Sequence, residues 1–209
     1  MLLERKEVDP NKPDDDGRTP LSHAADLRNE AVVKLLLRRQ EVNSDQQDND
    51  GRTPLSYAAV FGFGEMVELL LGQREVNPDK PDNGGRTPLS YASRGMNPFE
   101  TEIYTRVMKM LLGREEVIPD KPDNDGRTPL SYASELGSEG VVGVLFGREE
   151  VHPDKPDHGG RTPSRMLLST ESRELWECYL GGKSSTPMSR IISAERPSCM
   201  QLAVPTRGC

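Results

Sequence analysis

Apolar and polar positions alternate along this chain in a pattern that keeps returning. Each round opens on a short run such as "TPLSYAA", Thr53 to Ala59, in which Leu55 shares one face with Ala58 and Ala59. That spacing predicts a short helix with a flat packing face, since residues three and four apart are helical neighbours. A break such as "VFG" at 60–62 leads into a second apolar run, "GEMVELLL" in one round and "EAVVKLLL" in another, which predicts a second helix. A polar stretch such as "REVNPDKPDNGG" follows. Its prolines and Asn-Gly pair exclude a helix and predict a projecting, hairpin-like turn. Thr19, Thr53, Thr87 and Thr128 stand where helix N-caps belong, each followed by a proline in the first turn, where a missing N–H costs nothing. Gly72, Gly113 and Gly147 follow the second runs, with Arg38 in that slot of the first unit, and the glycines predict left-handed C-caps.

The rounds are copies of one sentence. "GRTPLS" opens at Gly17, Gly51, Gly85 and Gly126, a damaged "GRTPS" opens at Gly160, and the intervals are 34, 34, 41 and 34 residues. A fixed period of this size is the signature of a solenoid, whose units cannot bury their own apolar faces and are stable only against one another. With T-P-L-x-x-A-A at its heart, the unit closely resembles the ankyrin repeat, and the resemblance covers residues 1 to about 181. It implies an all-α repeat solenoid: an ankyrin-repeat stack of helix-turn-helix units with projecting hairpin-like fingers and first helices lining a concave face. The chain departs from the family in carrying Ser22, Ser56, Ser90 and Ser131 where a histidine is usual, which puts in doubt the imidazole bonds that clasp neighbouring repeats. The near-identity of the units is similar to that of arrays in fungal multidomain proteins, including the sensor ends of NACHT-type receptors.

The expected divisions follow from the period. Residues 1–16 are a truncated preceding repeat and its finger, because "MLLERKEVDP" matches "MLLGREEVIP" at 110–119. Full repeats occupy 17–50, 51–84, 85–125 and 126–159, the third with a seven-residue insertion. Residues 160–181 read as a degenerate C-terminal cap in which Leu167 and Leu168 replace the small pair and Trp176 and Tyr179 pack inward. From 182 to 209, 12 of 28 residues are Gly, Ser, Thr or Pro. That composition predicts a disordered tail, either a bland linker or one with short docking segments at "RIIS" and "CMQLAV".

Composition narrows the function. Of 209 residues 33% are apolar and 29% charged, and the formal charge is −7 without any basic run, which argues against nucleic acid. No stretch is apolar for the length a bilayer requires, so no membrane role is expected. The three cysteines, Cys178, Cys199 and Cys209, form no C-x-x-C pair and indicate neither disulfides nor zinc. A monomer in the cytoplasm is expected, the nucleus remaining open. His23, His152 and His158 are the only histidines, two of them in one finger without a third ligand at a useful spacing, so no metal site, cofactor or catalytic residue is assigned.

Three surfaces are candidates for binding a protein. The N-terminal fingers concentrate acid at Asp14, Asp15, Asp16, Asp48 and Asp50, either as a solvated edge paired with the arginine after each glycine or as a rim that attracts a basic segment. His23, Tyr57, Tyr91 and Tyr132 recur along the first helices, roughly opposite the Leu/Ala face, either as inter-repeat packing or as a groove stripe. In the insertion, Asn97, Pro98 and Glu100 have the spacing of a capping box, which predicts a helix from Pro98 to Leu112. Phe99 and Ile103 on it lack counterparts in other units and are either covered by the preceding loop or form an apolar knob. The first reading of function is a noncatalytic protein-binding scaffold or adaptor. The alternative is the sensor or regulatory end of a larger signalling protein or enzyme whose catalytic domain precedes Met1.

Overall fold

Short helices alternate along the chain in two lengths of connection, tight loops and longer fingers. The computed structural model describes residues 9–95 and 101–169, all within one compact unit that spans Met1–Arg173. The helices there are α1 (Pro20–Asp26), α2 (Glu30–Leu37), α3 (Pro54–Val60), α4 (Gly64–Leu71), α5 (Pro88–Arg94), α6 (Thr101–Leu112), α7 (Pro129–Leu136), α8 (Glu139–Phe146) and α9 (Pro163–Ser169). First helices α1, α3, α5, α7 and α9 pack in succession as one layer, and second helices α2, α4, α6 and α8 as another.

Each first helix starts as its sequence predicts. The Thr53 hydroxyl accepts the Ser56 N–H at 3.2 Å, and Ser56 Oγ accepts the Thr53 N–H at 3.3 Å. The same reciprocal pair joins Thr87 with Ser90 and Thr128 with Ser131. The serine that stands in place of the family's histidine therefore completes a capping box, two otherwise orphaned N–H groups being satisfied at once. Leu21, Leu55, Leu89 and Leu130 are fully buried between the layers, as are Val33, Val67, Val107 and Leu145 from the second.

One expectation is corrected. Gly72 and Gly147 close their helices with φ of −72° and −69°, in right-handed rather than left-handed conformation. The chain there makes one more tight turn, with the Gln73 N–H on the Leu70 carbonyl and the Arg148 N–H on the Leu145 carbonyl, each at 3.0 Å, so no reversal of hand is needed. The left-handed glycines are instead those that open each unit, and Gly62, Gly95 and Gly137 in the loops between helices. The fingers contain no strand among the described residues. Each is a hairpin-like turn, as expected, with the Asp48 N–H on the Arg52 carbonyl at 3.0 Å and the Gly51 N–H on the Asp48 carbonyl at 2.9 Å, repeated at Asp82 and Asp123.

In the insertion the described helix α6 covers Thr101–Leu112, its 12 residues spanning about 18 Å against about 12 Å for the eight of α4, while the expected start at Pro98 lies outside the described residues. Tyr104 on it is 4% exposed, its ring against Gly95 and Gly62. Pro98 and Phe99 lie outside the described residues, as do Trp176, Tyr179 and the expected tail 182–209. In the expected cap, Leu167 is 1% exposed.

Candidate functional site

In each full unit the finger folds back over the helix that follows it, and one aspartate makes the join. Asp48 Oδ1 accepts the N–H groups of Asp50 and Arg52 at 3.0 and 2.8 Å, while Oδ2 accepts the Tyr57 hydroxyl at 2.6 Å and Arg52 Nε at 3.1 Å. Both oxygens are fully used, which is what allows a carboxylate to sit in a nearly closed site. Asp82 repeats this with Tyr91 and Arg86, and Asp123 with Tyr132. Burial alone pushes the Asp82 carboxyl up, but the Tyr91 hydroxyl and the Arg86 side chain and N–H together hold it below its ordinary value. The three phenols are driven well above theirs, first by burial and then by the aspartate each one faces.

The arginine before each Thr has a choice of acids, and the helix decides. Seven residues after the capping Thr stand Asp26, Val60, Arg94 and Glu135 in successive units. Where that residue is acidic the arginine reaches forward, Arg18 to Asp26 at 2.5 Å and Arg127 to Glu135. Where it is Val60 or Arg94, Arg52 and Arg86 turn back to Asp48 and Asp82 at 3.1 and 2.7 Å. Either way the guanidinium lies over a tyrosine, 4.2 Å from the Tyr132 ring centre for Arg127 and 5.3 Å from that of Tyr91 for Arg86.

Neighbouring fingers are stitched together at two levels. At the tips the N–H groups of Asn49, Asn83, Asn124 and His158 donate to the carbonyls of Asp16, Asp50, Gly84 and Asp125, at 2.8–2.9 Å. The side chains of Asn49, Asn83 and Asn124 add a second bond, each to the preceding finger. This closeness is why Gly51 is a glycine: at φ +82°, a Cβ would lie 2.6 Å from the Asn83 nitrogen. Deeper in, the ammonium groups of Lys80, Lys121 and Lys155 cap the carbonyl and carboxylate of Asp45, Asp79 and Asp120 in the finger before.

The residues singled out in the sequence now have places. Tyr57, Tyr91 and Tyr132 are 7%, 8% and 6% exposed with their hydroxyls engaged, so they offer little surface, and Asp48 is buried with them. His23 takes the tyrosine's place in the first repeat, its Nε2 2.7 Å from Asp14 Oδ2, and stays half-open to solvent. Asp14 is exposed, and its carboxyl is lowered first by the Arg18 N–H and then by His23. Asp15, Asp16 and Asp50 are exposed at the tips, Asp50 with Arg52 at 2.6 Å, and so is Asp125 one finger further on. Ile103 is partly exposed against Gly62, far from the fingers in its repeat's architecture, and Phe99 lies outside the described residues. The clasp itself was missed in the sequence, although the aspartate stands nine residues before His23, Tyr57, Tyr91 and Tyr132 in every full unit. His152 pairs with Asp120 at 3.2 Å, and no group of three metal-ligating side chains gathers among the described residues. Nor is any helix among them long and apolar enough to cross a membrane.

Two layers of short paired helices, extended unit by unit and joined by stitched fingers, define an all-α repeat solenoid. The family model for ankyrin repeats, in three copies, matches residues 1–82 and 42–101, and this stretch is an ankyrin-repeat array. The units beyond it repeat the same helices, caps and finger bonds. Ankyrin repeats are generally protein–protein interaction modules and typically noncatalytic. No curated protein matches the chain.

Proposed function

We propose that this chain is a noncatalytic scaffold or adaptor, monomeric and without a cofactor, whose acidic finger tips bind a basic segment of a partner protein in the cytoplasm or nucleus. The observation that carries this reading is the contrast among the finger aspartates. Asp48, Asp82 and Asp123 are consumed by the fold, whereas Asp15, Asp16, Asp50 and Asp125 project from tips that the inter-finger bonds hold in place. Fixed carboxylates pay little ordering entropy on binding, and a row of one sign both accelerates encounter and rejects acidic competitors. Arg94 lies in a cleft of about 640 Å³ with Arg86, Arg127, Glu135 and Asp125, which gives that part of the molecule mixed charge and leaves Asp15, Asp16 and Asp50 as the acidic element.

The test is fluorescence anisotropy with a labelled lysine-rich peptide at low and physiological salt. The triple change D15N/D16N/D50N touches no buried group and should weaken binding about tenfold or more at low salt, consistent with removal of several surface attractions. Equal affinity for the wild type and the triple variant would reject the rim.

A further inference from the structure

Near-identical units supply their own controls: where one residue differs from its counterparts, the fold as such does not dictate it. At the loop that joins α1 to α2, and the loop beside it, several such differences meet. Arg28 has φ +54°, where the second and fourth repeats place Gly62 at +69° and Gly137 at +64°. It is the only non-glycine with positive φ among the described residues, and that conformation is strained for a branched or long side chain. Next to it Leu27 is 74% exposed. In the neighbouring loop Phe63 occupies the N-cap of α4, where the corresponding positions hold the polar Asn29 and Ser138, and like Ser138 it gives its helix no side-chain bond. Each choice is unfavourable locally.

These residues are continuous in space. The Arg28 guanidinium lies 5.1 Å from the centre of the Phe63 ring, and Phe63 stacks on Phe61 at 5.3 Å. Between the two, Gly62 is so close to Ile103 that a Cβ there would lie 2.9 Å from Ile103 Cδ1. Ile103 belongs to the insertion, the other feature that only one unit has, and is 37% exposed. Phe61, Phe63, Ile103 and a strained arginine thus form one surface across three repeats, with the exposed Leu27 next to Arg28 in the chain, at the opposite end of the first helices from the fingers.

We propose that this loop-edge corner docks a partner segment that carries a large apolar side chain beside a carboxylate. The apolar part is set by Leu27, Phe61 and Ile103, and the carboxylate by charge. Arg28 forms no direct ion pair among the described residues, and Glu65, whose carboxyl its charge helps to lower, is held by Arg106 instead. At the far end Arg106 holds Glu65 at 3.1 Å with both side chains more than half exposed, a weak pair that an incoming carboxylate can share. An arginine stacked on an aromatic ring keeps its edge donors free for such a group. This goes beyond the finger rim, whose partner segment has the opposite charge.

The experiment uses the full chain and a short fluorescein-labelled peptide that alternates leucine with glutamate, followed by anisotropy, with the leucine–lysine peptide as control. Saturable binding of the acidic peptide is expected, weakened at least about tenfold by R28E and by L27S and unchanged by D15N/D16N/D50N, while R28G melts no lower than the wild type. Absence of saturable binding, equal affinity in R28E, or binding of the lysine peptide that R28E and L27S weaken as they weaken that of the acidic peptide would overturn the proposal. So would a dimer in sedimentation that L27S dissolves, since the surface would then belong to a second copy. Because the rim variants are read in the same assay, failure here is separable from failure of the rim.

Discussion

At the finger edge, Asp48, Asp82 and Asp123 make the same bonds to Tyr57, Tyr91 and Tyr132, and the asparagine at each tip reaches the finger before it. At the loop edge, the counterparts Arg28, Gly62 and Gly137 share a backbone conformation but not a side chain, and one loop carries seven more residues than its neighbours. The difference teaches what each edge is for. Buried polar groups must be paired, so the clasp aspartate recurs in every full unit and its partner changes only from tyrosine to His23, which keeps the bond. Side chains at the loop edge face solvent, and substitution there is tolerated by the fold and available for something else.

The comparison breaks first if the layers themselves are not the source of stability. Leu70 is fully buried between α4 and its neighbours. Leu70→Ala should cost about 2 to 5 kcal/mol in urea denaturation, the range for a buried large-to-small change. A shift under about half a kcal/mol would remove α4 from the core.

Next in size is the clasp. D82N keeps the shape of the side chain but strips charge from a site that holds the Tyr91 hydroxyl, the Arg86 side chain and two N–H groups. A loss of about 3 kcal/mol is expected, as for a buried charge-assisted network that loses one member. The same residue sets a pH signature. Its folded-state pKa is depressed below the ordinary value of 3.8, so its stabilisation is present above that value and disappears as pH falls through the lower folded one. Wild-type stability should therefore fall on acidification below about pH 4 more steeply than that of D82N, read from urea midpoints at successive pH values.

Much of this was legible in the sequence, and for a physical reason. Thr caps, N1 prolines and the apolar period are local signals, and the structure forms a helix where each of them stands. The clasp and the arginine's choice of partner were not read, because both depend on how a finger folds over a helix, which no local propensity encodes. The glycines after the second helices misled for the same reason. Gly fits a left-handed cap, but it also fits a right-handed turn, and only the path of the following finger decides between them.

The smallest expected effect is at the loop edge. R28G loses a stacking contact worth about 0.5 to 1 kcal/mol and relieves a left-handed arginine that costs about 1 to 2 kcal/mol, so its stability should stay level or rise. Urea denaturation of D82N and R28G side by side is the most direct test of the division between the two edges. A loss of about 3 kcal/mol is expected for D82N and none for R28G. Equal losses, or the larger loss in R28G, would contradict it.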